Sequence, residues 1–295
     1  MQIEKMIEIC LRLTKDIAKF AKRRYLYNQI NWNNRLIGII GQRGVGKTTI
    51  LLQRYLDKYN DPEKCLYFSA DHYKITGLYE IAEEYFKFGG DVLLIDEIHK
   101  YPNWKIEIKN IYDSFPKKKI IFSGSSTISL LKGKADLSRR AIYYELKGLS
   151  FREYINFKDA ANFDAVDIEY LLKNHILLSQ KIIDKINVQK EFKMYLMKGY
   201  YPFFNEGDDS YFFKLENIIE KILYDDFPVI YNTKPETAPT LKKIFNLVAT
   251  SEPFTLNISN LSNILGISRE YVYLYLENLA KSGILKLVYP SSTGN

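Results

Sequence analysis

Leu36-Ile37-Gly38-Ile39-Ile40-Gly41-Gln42-Arg43-Gly44-Val45-Gly46-Lys47-Thr48-Thr49 is the stretch on which the reading of this chain turns. An unbroken apolar run enters a loop that fits GxxxxGK[ST], and the residues from Thr49 onward open a helix. Glycines let successive backbone N–H groups converge on one anion at a helix N-terminus, where fixed dipoles favour negative charge. The loop Gly41, Gln42, Arg43, Gly44, Val45, Gly46, Lys47, Thr48 and Thr49 is therefore expected to cradle phosphates. Lys47 reaches the β- and γ-phosphates in this reading, and the Thr48 hydroxyl ligates magnesium.

A second element agrees with the first. Val92-Leu93-Leu94-Ile95-Asp96-Glu97 is an apolar strand ending in adjacent carboxylates. Asp96 is expected to hold magnesium, and Glu97 to orient and activate an attacking water. Cys65 to Ala70 reads as a strand intervening between the two, as in ATPases that carry a catalytic glutamate, and no NKxD stretch offers to read guanine. ATP is the nucleotide this favours. A further strand, Ile120 to Ser123, runs into Ser123-Gly124-Ser125-Ser126, which makes Ser125 the first candidate for a hydroxyl beside the γ-phosphate and Ser123 the second. Arg139 and Arg140 stand just before the last strand, where ring-forming ATPases place an arginine that reaches into a neighbouring protomer. Arg140 in that role implies a homo-oligomer during turnover.

Outward from the loop, apolar runs alternate with helical or polar stretches between residues 36 and 148, the pattern of an α/β parallel sheet. The strands are Leu36 to Ile40, Cys65 to Ala70, Val92 to Ile95, Ile120 to Ser123 and Ala141 to Leu146, rich in Ile, Leu and Val as strands covered on both faces are. Ahead of them, Met6, Ile9, Cys10, Leu13, Ile17 and Phe20 step by three and four, which predicts an amphipathic helix. Its other face carries Lys5, Lys15, Lys19 and Lys22, followed by Arg23 and Arg24, all read as solvent-facing. After Gly148 longer amphipathic segments dominate, around Ile168 to Lys198 and Tyr211 to Leu223. The aromatics between Tyr195 and Tyr231 are expected to fill a helical core. From Leu241 the order is helix, Leu261 to Leu265, a turn at Gly266 and Ser268, a helix from Arg269 to Ala280 and a strand from Ile284 to Val288, the order of a winged helix. The expected domains are an N-terminal helix and lead-in over 1–34, a P-loop core over 35–148, a helical lid over 149–235 and a winged helix over 236–295. The final Tyr289 to Asn295 reads as the tip of a wing rather than the close of a finished domain.

Composition sets the outer limits. The 295 residues are 46% hydrophobic and 26% charged, with 15 Gly and 9 Pro, which excludes collagen-like, disulfide-scaffold and wholly disordered classes. The formal net charge of +7 permits an anionic partner without demanding one. Cys10 and Cys65 lack metal-ligand spacing, so a reducing, cytoplasmic setting is expected. No run approaches the ~18 apolar residues of a membrane span.

Taken together, these motifs resemble the AAA+ superfamily, specifically prokaryotic P-loop ATPases with the patterns GxRxxGKTT, LLIDEIxKxPxW, TGSS, and a GR shortly before PLSFxEY. Their counterparts here are Gly41 to Thr49, Leu93 to Trp104, Ser123-Gly124-Ser125-Ser126, Arg139-Arg140 and Leu149-Ser150-Phe151-Arg152-Glu153-Tyr154. The family's helical lid with its GGxP element is similar to Lys198-Gly199-Tyr200-Tyr201-Pro202, and its winged helix to residues 241 to 289. The chain departs from the family where Arg139 replaces a glycine and Gly148 a proline, and nothing matches the acidic EVDF element of nuclease-bearing relatives. The resemblance implies a five-stranded parallel AAA+ sheet with a lid and a winged helix. It also implies an ATP- and Mg2+-dependent switch or motor, related to archaeal origin-recognition ATPases, that acts on a macromolecular client.

Two other readings weigh against this one. Asp96-Glu97-Ile98-His99 fits the DExH box of helicases, but no second parallel sheet and no QxxGRxxR-like motif follows residue 150. A nucleotide-gated DNA-binding regulator with little turnover is the alternative that the winged helix raises, with duplex DNA rather than a protein client as partner. Between residues 236 and 295, Lys242, Lys243, Arg269, Lys281 and Lys286 face Glu236, Glu252, Glu270 and Glu277, so the charge that would neutralise phosphates nearly cancels.

Overall fold

The computed structural model of the protein describes residues 2–72, 75, 77–125, 137, 139–231, 233–251 and 257–288. Five strands, β1 (Leu36–Gly41), β2 (Cys65–Ser69), β3 (Val92–Asp96), β4 (Lys119–Gly124) and β5 (Ile142–Leu146), form one sheet in the order β2-β3-β4-β1-β5. Every neighbouring pair is parallel. The sequence reading of an α/β sheet with these strands holds to within a residue or two at each end. β1 and β3 are buried along their whole length, which is why each reads as an unbroken apolar run. β2 intervenes between β1 and β3 along the chain but lies at the sheet edge, and β4 separates them in space. The edge strand β5 keeps Ile142 and Glu145 exposed.

Helices α1 (Gln2–Ile17), α2 (Tyr25–Gln29), α3 (Lys47–Arg54), α4 (Leu78–Lys87) and α5 (Trp104–Ser114) accompany the sheet. α1 packs on β2 and α3, and α3 packs on β1, β3 and β4. α4 pairs with α5, and Trp104 of α5 lies 5.5 Å from the Phe122 ring of β4. The apolar stripe of α1 buries Met6 and Cys10, but Phe20 falls beyond the helix end and is 62% exposed. Burial pushes the Cys10 thiol up to about 11.

The basic run after α1 corrects its sequence reading as a solvent-facing patch. Lys22 donates to the Phe157 carbonyl at 3.1 Å, Arg23 forks onto Asp57 at 3.1 and 2.7 Å, and Arg24 is only 3% exposed. Spacing along a helix surface reveals nothing of partners more than a hundred residues away.

Beyond β5 the chain forms α6 (Phe151–Phe157), α7 (Ile168–Ile183), α8 (Val188–Lys198), α9 (Asp208–Lys221), α10 (Phe227–Tyr231), α11 (Ala238–Thr250), α12 (Ile258–Leu265) and α13 (Arg269–Lys281). The chain divides into two compact units, one of described residues up to Gly124 and from Leu137 to Phe212, the other of Ser125 and the described residues from Phe213 to Val288. In the first, Tyr201, Phe204 and Tyr211 are buried as expected of core aromatics, whereas Phe212 is 49% exposed. The second unit packs Leu223 and Phe227 with Leu241, Ile244, Leu261, Val272, Leu276 and Leu279. Gly266 ends α12 at φ 66 and Ser268 caps α13, so the turn read at these two residues has its structural counterpart; Asn257 caps the start of α12. The strand expected over Ile284 to Val288 is not formed: this segment pairs with no strand among the described residues. No helix among them is long and apolar enough to cross a membrane.

Candidate functional site

The loop after β1 takes backbone shapes that only glycine adopts cheaply, with Gly44 at φ 82 and Gly46 at φ 101. Gly46 delivers the chain into α3, whose first residue is Lys47. Lys47 is 5% exposed, and its Nζ donates to the carbonyls of Gly41 at 3.0 Å and Gln42 at 2.8 Å. The ammonium therefore lies across the loop, over the backbone that would surround an anion. Gln42, Arg43, Thr48 and Thr49 are half-buried around it, and Val45 is fully buried beneath.

β3 ends beside this loop. Asp96 is 3% exposed, and three hydroxyls converge on its carboxylate. Thr48 donates to Oδ2 at 2.6 Å, Tyr67 of β2 donates to the same oxygen at 3.1 Å, and Ser123 of β4 donates to Oδ1. Burial, reinforced by the Asp96 charge, raises the Tyr67 phenol far above its ordinary value and keeps it a donor. A hydroxyl and a carboxylate at hydrogen-bonding distance beside a phosphate loop are the hard-oxygen set that magnesium takes, with its remaining positions left to phosphate and water. Thr48 and Asp96 thus fit the cation. No cluster of three or more His, Cys, Asp or Glu side chains suited to a metal occurs among the described residues.

Glu97 stands in the left-handed region at φ 51, ψ 39, an uncommon conformation for a residue with a side chain. Its N–H donates to Ser123 Oγ at 3.1 Å, so Ser123 touches both acids of the pair. Glu97 Oε2 lies 3.5 Å from Nε2 of His99, whose side chain is 4% exposed. This places the histidine of the DExH-like string next to the glutamate.

The candidates Lys47, Thr48, Asp96 and Glu97 are thus brought together. Ser123, the second candidate for the sensing hydroxyl, makes the contacts to Asp96 and Glu97, while Ser125 follows directly on the end of β4 and is half-buried. Ser126 lies outside the described residues. Arg140 stands just ahead of β5 and forks onto Asp113 of α5 at 2.9 and 3.0 Å, while Arg139 is exposed.

Sequence reasoning missed three contributors. Tyr67 is hidden in an apolar strand, where only its position two residues into β2 could have flagged it. Arg24 contacts the loop through the Val45 carbonyl and donates to Glu153 Oε1 at 2.9 Å. Pro202, in the segment similar to GGxP, lies 3.9 Å from where a Cβ on Gly46 would stand. Gly148, which departs from the family proline, is closed over by the Tyr200 ring, so no side chain fits there without displacing it.

A glycine loop entering a helix, an ammonium across it, and a hydroxyl–carboxylate pair at its mouth define a P-loop nucleotide site on a parallel sheet. Residues 33–155 match the model of an AAA domain family. Residues 189–295 match a domain family of unknown function. An uncharacterized protein of Methanocaldococcus jannaschii is 29% identical over 294 residues, covering 95% of this chain. The chain spans 61% of that relative's length. Among solved structures, AMPPCP-bound DnaA from Aquifex aeolicus is 17% identical, with a TM-score of 0.33 over 92% of each chain. RuvB of Thermotoga maritima is 15% identical, with a TM-score of 0.32 over 84% of this chain and 80% of that one.

Proposed function

We propose that this chain binds ATP with Mg2+ and hydrolyses it to ADP and phosphate, as an AAA+ ATPase that assembles into a homo-oligomer and acts as a switch or motor on a macromolecular client. The observation that carries the reading is the junction of β1, β3 and β4, where Thr48, Asp96, Ser123 and Glu97 are hydrogen-bonded into one group beside the loop. The loop N–H groups and Lys47 bind the phosphates, and Thr48 with Asp96 holds the cation, which when bound neutralises phosphate charge. Glu97, fixed by its N–H to Ser123, accepts a proton from the attacking water. Arg140 supplies charge to a neighbour's γ-phosphate once assembly has drawn it off Asp113. The helices from α6 to α8 form the lid, with Pro202 against the loop.

The test is direct. Lys47→Ala is expected to lose nucleotide binding, while Glu97→Gln keeps binding and loses turnover. Wild-type protein that neither binds nor hydrolyses Mg·ATP ends the proposal.

A second reading, favoured by the capped α12–Gly266–α13 pair and its exposed Tyr271 and Tyr273, makes the chain a nucleotide-gated DNA-binding regulator of the winged-helix kind with slow turnover. It requires duplex affinity to differ between the ATP, ADP and nucleotide-free states. Equal affinity in all three removes it.

A further inference from the structure

Arg24 is a buried cation with an unusual set of partners. Its Nε donates to Glu153 Oε1 at 2.9 Å, its Nη2 donates to the carbonyls of Lys147 and Gly148 at 2.7 and 3.1 Å, and its Nη1 donates to the Val45 carbonyl. The side chains of Arg24 and Glu153 are 3% and 6% exposed. Glu153 is filled in turn: it accepts from the backbone N–H of Tyr25 at 2.9 Å and of Ser150 at 3.0 Å. Burial alone would raise its carboxyl pKa, and the Arg24 hydrogen bond and charge, together with the Tyr25 and Ser150 N–H groups, outweigh that and leave it lowered.

Chain order makes this placement informative. Arg24 precedes the sheet and Glu153 opens α6 after it, and between them they grip the middle of the phosphate loop. Val45 sits between Gly44 and Gly46, and its carbonyl belongs to the same peptide unit as the Gly46 N–H. A cationic donor on a peptide carbonyl polarises the N–H at the other end of that unit and holds its plane. From Glu153 the contact continues: the Leu149 N–H donates to the Tyr200 carbonyl at 2.7 Å, the Tyr195 hydroxyl donates to the Leu149 carbonyl at 2.7 Å, and Pro202 returns to Gly46.

We propose that Arg24, held by Glu153, is a positioning residue that sets the orientation and polarity of the Val45–Gly46 peptide for phosphate binding and ties that peptide to the Leu149–Pro202 segment. The inference rests on the ATP-site reading above and adds to it a loop whose phosphate affinity depends on a guanidinium outside the motif. Lysine cannot replace it, because one ammonium cannot serve Glu153, Val45 and Lys147 from a single point.

The experiment compares wild-type protein, Arg24→Lys and Glu153→Gln for binding of ADP, ATP and adenosine by calorimetry, with the thermal midpoint recorded without ligand. Losing a charge-assisted hydrogen bond predicts ADP and ATP affinity down by about tenfold to a hundredfold in Arg24→Lys. Adenosine, which has no phosphate, changes by less than about threefold, and Glu153→Gln shows an intermediate loss. A purely structural role lowers all three ligands by the same factor in step with the thermal midpoint, and that result overturns the proposal. Unchanged ADP affinity in a folded Arg24→Lys protein also overturns it. Wild-type protein that fails to bind ADP or ATP refutes the nucleotide-site reading itself, a separate result.

Discussion

Replacing Ser123 with alanine removes one oxygen that joins the two acids of the site. Ser123 is fully buried, its hydroxyl donates to Asp96, and it accepts from the Glu97 N–H at 3.1 Å. The alanine variant strands the Glu97 N–H and one side of a carboxylate that is itself 3% exposed. An unmet buried polar group costs about 1–3 kcal/mol. If that cost appears only when Glu97 must be held for attack, kcat falls between about fivefold and about a hundredfold, with KM for ATP changed by less than about threefold. If it is felt in the resting protein, the thermal midpoint drops by roughly 2–4 °C per kcal/mol for a unit of this size. Steady-state phosphate release for Ser123→Ala and Ser125→Ala, alongside thermal melts of both, separates the two cases. Ser123→Ala is expected to lose more than Ser125→Ala when rate and stability effects are taken together. Equal activity and stability in wild-type and Ser123→Ala protein, or a greater loss in Ser125→Ala, refutes it.

Other consequences are as specific. Gly46→Ala forces a side chain to φ 101, a strain of about 1–3 kcal/mol, so nucleotide affinity measured by calorimetry is expected to fall about tenfold or more with the fold retained. Tyr67→Phe deletes the 3.1 Å donor to Asp96 while keeping the ring, so Asp96 is less firmly placed: magnesium titration in the presence of ADP is expected to show cation binding weakened by about tenfold or more, and phosphate release from ATP, measured separately, to slow. The Glu153 carboxyl lies below its ordinary 4.5 in the folded chain, so its stabilisation is complete above about pH 4.5 and is lost as pH falls through the lowered value. Urea midpoints recorded from pH 7 to pH 3 are therefore expected to fall more steeply in wild-type protein than in Glu153→Gln. Mixing Arg140→Ala with Glu97→Gln is expected to restore turnover at composite interfaces, read as phosphate release against mixing ratio, and no rescue removes Arg140 from the role of a shared arginine.

The parts legible in the sequence are those whose physics is local. A parallel strand covered on both faces has no polar alternation, so Leu36–Gly41 and Val92–Asp96 show themselves as apolar runs, and glycines at positive φ mark the loop between strand and helix. The turn at Gly266 and Ser268 is likewise local, the first ending α12 and the second capping α13. What stayed hidden is contact across the chain. Nothing near Arg24 announces Glu153, and its neighbours Lys22 and Arg23 made it look like one more surface cation. Sheet order is equally non-local: β2 precedes β3 in sequence yet sits at the edge, and only pairing registers show that β4 lies between the loop strand and the acidic strand. The Ile284 to Val288 run has strand-forming composition, but composition supplies no partner, and among the described residues none pairs with it.

The most direct measurement is ATP turnover per protomer across a protein-concentration series, in wild-type protein and in Glu97→Gln, with nucleotide binding measured on the same samples. The account predicts magnesium-dependent turnover whose specific rate rises with concentration, and a Glu97→Gln variant that binds ATP as tightly as wild type and releases no phosphate. Wild-type protein without turnover at any concentration, or Glu97→Gln turning over at the wild-type rate, contradicts it.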